Sequence, residues 1–149
     1  MADTNISTLN DLIEISRDGE AGFRKAAEDA HSSELKTLFA SRAAEISAAV
    51  LELQTQVTAL GGKPEDSGSV SGALHRGWLS LREAVTSRDD KAILEETEKG
   101  EDVAKKNYHD ALEKELPADV RAIVERQYQG VLQNHDRVRD LRDQYAAKS

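Results

Sequence analysis

The chain has 149 residues and a formal charge of −8, with 38% hydrophobic and only 4% aromatic residues. That length suits one domain able to bury a real core. The absence of cysteine excludes disulfides, thiol nucleophiles and cysteine-based zinc sites, and no basic stripe interleaved with aromatics points to nucleic acid.

No apolar run approaches the roughly 20 residues that span a bilayer, and Met-Ala-Asp-Thr-Asn does not begin a signal peptide. The expectation is a cytoplasmic protein with no membrane partner. The apolar residues are periodic rather than scattered, and helix formers dominate, so the fold class is all-α rather than disordered.

The first helix is expected over about 8–30, with Leu9, Ile13, Ser16, Glu20, Phe23, Ala27 and Ala30 on its seam. Ser32 and Ser33 can cap a second helix over about 33–60, striped by Leu35, Phe39, Arg42, Ile46, Ala49, Leu53, Val57 and Leu60. Gly61-Gly62 ends it, because glycine adopts the left-handed conformation a helix C-terminus uses. A polar connector with Pro64 leads to a shorter helix over about 69–86, carrying Val70, Leu74, Trp78, Leu81 and Val85. This helix suits a crossover joining two long helices that run parallel.

Ser87 is expected to cap the next long helix, over about 88–114, with Asp89 and Asp90 in its first turn. Its seam is Leu94, Thr97, Glu101, Ala104, Tyr108 and Ala111. Pro117 stands near the start of a last helix, over about 117–146, with Val120, Val124, Gln127, Val131, His135, Val138 and Leu141 inward. All 149 residues are read as a single helical-bundle domain.

The chain also nearly repeats itself. Residues 12–20, Leu-Ile-Glu-Ile-Ser-Arg-Asp-Gly-Glu, and residues 93–101, Ile-Leu-Glu-Glu-Thr-Glu-Lys-Gly-Glu, align in constant register. Each ends in a Gly-Glu pair whose glutamate, Glu20 or Glu101, falls on an apolar seam. A buried carboxylate must be protonated, paired, hydrogen-bonded or metal-bound. Glu45 lies at a similar height to Glu20, Glu98 stands one turn before Glu101 on the same side, and Glu125 is a further carboxylate on the last helix, where the level of Glu101 falls closer to Tyr128. His135 is the best-placed nitrogen donor. Arg42 and Tyr128 are the groups that can neutralise or bond these carboxylates without a metal. Gly19 and Gly100 read as close-packing positions, since each costs about 1 kcal/mol against alanine within a helix.

Several segments together resemble a known family. They are Leu-Asn-Asp-Leu-Ile-Glu at 9–14, Asp-Gly-Glu-Ala-Gly-Phe at 18–23, Leu-His-Arg-Gly-Trp at 74–78, Lys-Gly-Glu-Asp at 99–102, Glu-Arg-Gln-Tyr at 125–128 and His-Asp-Arg-Val-Arg at 135–139. The chain resembles a bacterial four-helix-bundle family, a domain of unknown function within the ferritin-like superfamily, distantly similar to rubrerythrins. The resemblance implies a ferritin-like bundle with a fifth, crossover helix. It also implies a di-iron-type ligand set at Glu20, Glu45, Glu101 and Glu125, with Glu98 as an extra carboxylate. The chain departs from that pattern where Glu-x-x-His is expected, because Ala48 follows Glu45 and Tyr128 follows Glu125 at the histidine positions.

Two readings stay open. In one, the acidic core binds one or two divalent ions, iron or manganese, and any enzymatic activity would be oxygen- or peroxide-linked. In the other, the bundle is a metal-free structural or stress-related interaction module, its core glutamates neutralised by Arg42, Tyr128 and His135. A homo-oligomer built on the Trp78 face is a further expectation. His75 and Arg76 read as anchors of the crossover helix, and His31 and His109 as surface residues. No nucleophile elbow or phosphate-binding loop is present.

Overall fold

The computed structural model describes residues 2–65 and 89–148. These form four helices in chain order: α1 (Ala2–Asp29), α2 (Ser33–Ala59), α3 (Asp90–Leu112) and α4 (Ala118–Lys148). No strand occurs among the described residues. The expected helix at 69–86, with His75 and Trp78, lies outside them.

The seams of the sequence become the core. Leu9, Ile13 and Phe23 of α1, Leu35, Phe39, Leu53 and Val57 of α2, Leu94 of α3, and Val124 and Val138 of α4 are all buried. Phe23 and Phe39 stack at a tilt, with ring centroids 5.9 Å apart, where α1 meets α2. The apolar stripe rather than propensity holds such helices, because an isolated helix is marginal in water.

The helix ends obey local rules with two differences from expectation. Helix α1 begins at Ala2, a full turn or more ahead of the expected start near 8. The reason is tertiary: Asn5 is buried, and Ile6 packs partly buried against the core beside Gly62. Helix α3 is capped by Asp89, whose carboxylate accepts from the Lys91 amide at 3.0 Å. Ser87, the expected cap, lies outside the described residues. At α2, Ser32 caps as expected, accepting from the Leu35 amide at 3.4 Å.

The end of α2 is a Schellman turn. Gly61 has φ 86°, its N–H donates to Thr58 O at 3.0 Å, and the Gly62 N–H donates to Val57 O at 3.0 Å. This satisfies carbonyls that the helix leaves free.

Two cross-links fix the topology. The Asp90 carboxylate accepts from the amides of His31 and Ser32, at 2.7 and 3.0 Å. The start of α3 therefore sits at the α1–α2 turn. At the other end, Asn10 donates to Lys63 O at 3.1 Å and accepts from the Glu65 amide at 2.9 Å. The chain thus leaves α2 at one end of the bundle and enters α3 at the opposite end, so α2 and α3 run parallel. Helix α1 packs on both α2 and α3, α4 packs on α3, and the α2–α4 pairing is the loosest. Helices α2 and α3 face each other across the diagonal.

Because Gly61 holds the left-handed conformation, Gly61→Ala should lower unfolding stability by about 1–2 kcal/mol. A urea midpoint reduced at unchanged slope would show it; an unchanged midpoint would mean that the turn refolds without cost.

Candidate functional site

The polar residues on the seams meet near the middle of the bundle. Arg42 of α2 and Glu101 of α3 are both buried, at 7% and 2% exposure. Arg42 Nε lies 3.5 Å from Glu101 Oε1, across the diagonal. Asn134 of α4 donates its Nδ2 to the same oxygen at 3.1 Å. Arg42 Nε and Glu101 Oε2 are buried without a hydrogen-bond partner. Burial pushes the Glu101 carboxyl above its ordinary range, and this outweighs the opposing pull of Arg42, Asn134 and His135.

A second chain of polar groups runs beside the first. Tyr108 of α3 donates to Gln127 Oε1 at 2.8 Å and lies 3.4 Å from Ser16 Oγ. Gln127 in turn donates to Glu52 Oε1 at 2.8 Å and to Ala49 O at 3.2 Å. Arg126 closes the chain on Glu52. Burial drives the Tyr108 hydroxyl up to about 12, against the smaller pull of Ser16 and Arg42. The phenol therefore stays protonated and serves as a donor.

Between these groups lies a cavity of about 390 Å³ touching all four helices. Gly19, Gly100 and Gly130 line it together with Arg42, Glu101 and Tyr108. A Cβ at Gly19 would meet only the Ile46 side chain at 3.6 Å, and one at Gly130 only Arg42 Nη1 at 3.7 Å. Both are ordinary contacts, so close packing does not require glycine at 19, contrary to the sequence expectation. These glycines leave space rather than tighten a seam.

Of the carboxylates expected to converge, Glu45 and Glu101 line this cavity, whereas Glu20, Glu98 and Glu125 do not. Glu20 is buried but held within α1 by Arg17 and Arg24, each at 2.7 Å. Burial pushes its carboxyl up, and the two guanidinium groups outweigh that, leaving it below the ordinary range. Glu45 and Glu125 are exposed, and Glu125 lies 3.9 Å from Arg121. Glu98 is ion-paired with Arg142. His135 Nε2 lies 2.5 Å from Asp102 Oδ1, and its Nδ1 is 3.4 Å from Asp136. Tyr128 lines a separate surface pocket with Asp102, Lys105, Lys106 and His109.

A di-metal centre needs several free oxygen or nitrogen donors aimed at one point. Among the described residues, no group of three or more His, Asp or Glu is placed to hold a metal ion. As arranged, the donor set does not fit a di-metal centre.

Sequence reasoning missed the cations on Glu20, although the spacing Arg17-Glu20-Arg24 marks ion pairs three and four residues apart on a helix. It also missed Asn134, whose only sequence signal is its place beside His135 on the buried edge of α4.

Because the Glu20 carboxyl is held below its ordinary value of 4.5, its contribution to stability is present above that value. It is lost as pH falls through the folded-state value. Glu20→Gln should therefore lower Tm near neutral pH, and the gap to the parent protein should close on acidification. A gap that stays constant down to about pH 3 would remove the charge explanation.

No curated protein matches the chain. Residues 4–114, from α1 to just past the end of α3, match the sequence model of a family described as a domain of unknown function. Its matched span holds Glu20, Arg42, Glu101 and Tyr108, whereas Asn134 and Gln127 stand on α4 beyond it. With most of its length matched, this chain belongs to the family designated Domain of unknown function (DUF2383).

Proposed function

We propose that this chain works as a metal-free interaction module: a ferritin-like bundle whose central charges are balanced by its own side chains. The parallel course of α2 and α3 supports the ferritin-like placement, since bundles with one long crossover connection have that topology. One observation carries the metal-free reading. The inward carboxylate at the centre, Glu101, already has Arg42 and Asn134 against the same oxygen.

A buried guanidinium supplies the positive charge that a metal would otherwise bring. Glu20 is likewise served by Arg17 and Arg24, and a cation arriving there would have to displace both. The role of the Arg42–Glu101 pair is to favour one helix register over its neighbours, a use attested for some buried polar groups. An apolar contact would tolerate a sliding helix, whereas this pair loses its compensation as soon as α2 shifts against α3.

Two experiments test the reading. Arg42→Met should cost about 3–5 kcal/mol by stranding a buried carboxylate. The paired replacement Arg42→Met with Glu101→Leu should recover most of that loss, and equal losses in the single and paired variants would sink the compensation argument. Metal content after expression in iron- and manganese-supplemented medium, without chelators, should be well below one ion per chain. One to two ions retained, and lost in Glu101→Ala, would replace this reading with a metal site.

A further inference from the structure

From the cavity between the four helices, we infer that the protein has a binding site for a small, uncharged, half-apolar molecule. That molecule presents a lactam or carboxamide edge, a C=O beside an N–H, to Arg42 and Glu101. The inference rests on the reading of the centre as metal-free and goes beyond it by naming an occupant.

Three observations carry it. The first is space. About 390 Å³ is in the range of small-molecule pockets. Glycine stands at three lining positions, 19, 100 and 130, each inside a helix where alanine would be favoured by about 1 kcal/mol. Alanine would meet only ordinary contacts at 19 and 130, so packing between helices does not account for glycine there.

The second is the state of the polar groups. Buried donors and acceptors are nearly always partnered. Here two residues that line the cavity each carry an atom with no hydrogen bond: Glu101 Oε2, and Arg42 Nε, which has only its 3.5 Å ion-pair approach to Glu101 Oε1. Both side chains are more than nine-tenths buried. Tyr108 and Gln127, by contrast, are already bonded to each other.

The third is charge. Among the ionisable groups that line the cavity, Arg126 and Glu52 are paired with each other and Glu45 is exposed to solvent, which leaves one buried guanidinium and one buried carboxyl, Arg42 and Glu101, facing the space. An anionic ligand would gain Arg42 and be repelled by Glu101, and a cationic one the reverse. A neutral group with an acceptor and a donor side by side satisfies both. Its C=O accepts from the guanidinium, and its N–H donates to the carboxylate. Ile15, Ile46 and Val131 supply apolar wall for the remainder of the molecule.

The test uses the full chain and 2-pyridone, a lactam small enough for the cavity, with benzene, benzoate and benzylamine as controls. Binding is read from the backbone amide resonances of Gly19, Gly100 and Gly130 in two-dimensional NMR. Saturable shifts with 2-pyridone are expected, with affinity about tenfold or more above that for each control, since a hydrogen bond to a buried charge is worth that much. Gly130→Leu, which fills the space beside Arg42, should abolish the shifts. The paired variant Arg42→Met with Glu101→Leu should fold and lose the preference for 2-pyridone over benzene.

Equal binding of benzene, or tighter binding of benzoate, would overturn the assignment of the polar edge. A parallel titration with Mn²⁺ separates the two readings. No 2-pyridone shift and no broadening of the Gly100 and Glu101 resonances by Mn²⁺ would overturn the ligand site alone. No shift together with that broadening would overturn the metal-free centre as well.

Discussion

The bundle is organised around a charge that must be balanced where water does not reach. Glu101 is the most deeply buried carboxylate among the described residues, and an isolated carboxylate there would be prohibitive. Its compensation comes from α2 and α4, not from its own helix. Arg42 reaches it across the diagonal, between two helices whose backbones stay apart. The pair therefore ties together the two hairpins, α1–α2 and α3–α4, at the level where their apolar seams are interrupted. Coulombic attraction alone does not make such a pair stabilising, since both ions lose hydration. Its effect is on which arrangement of helices is tolerated.

Around this centre, polar contacts are arranged by depth. Closest in are Glu101 with Asn134 and Tyr108 with Gln127. Further out, His135 meets Asp102, and Glu98 and Arg142 form an ion pair. These link α3 to α4 as an antiparallel ladder, whereas Gln127 and Arg126 link α4 to Glu52 on α2. That last connection is polar and partly exposed, consistent with α2 and α4 being the least closely packed neighbours. The cavity opens beside this weakest pairing, bounded by glycines on three helices.

The contrast between Glu20 and Glu101 shows how position alone separates two carboxylates of similar local sequence. Both follow a glycine in the internal repeat. Glu20 is flanked on its own helix by Arg17 and Arg24 and is held ionised. Lys105 stands four residues after Glu101, as Arg24 does after Glu20, but the cation that pairs with Glu101 is Arg42 of another helix, and burial pushes its carboxyl up despite that pairing. The repeat marks two equivalent helical positions without making them equivalent sites.

The sequence by itself determined the four described helices, their inward faces and the polar residues that interrupt those faces. Ser16, Glu20, Arg42, Thr97, Glu101, Gln127 and His135 all read as seam residues, and all are buried. This was legible because helical periodicity is set within a few turns, and because caps such as Ser32 and the Gly61-Gly62 turn act through adjacent backbone groups. The early start of α1 was not legible, because Ile6 is held against the end of α2, far along the chain. Nor was the choice of partners within the core. Turn positions place Glu20 and Glu45 at similar heights and Glu101 closer to Tyr128 than to Glu125, but a rotation of one residue, about 100° around a helix axis, moves a carboxylate from the seam to solvent. Only the packing of four helices decided that Glu125 is exposed away from the cavity while Glu45 stands exposed at its edge, that Tyr108 rather than Tyr128 lines the cavity, and that Arg42 meets Glu101. Those outcomes depend on relative rotation and depth between segments distant in the chain, which no local pattern encodes.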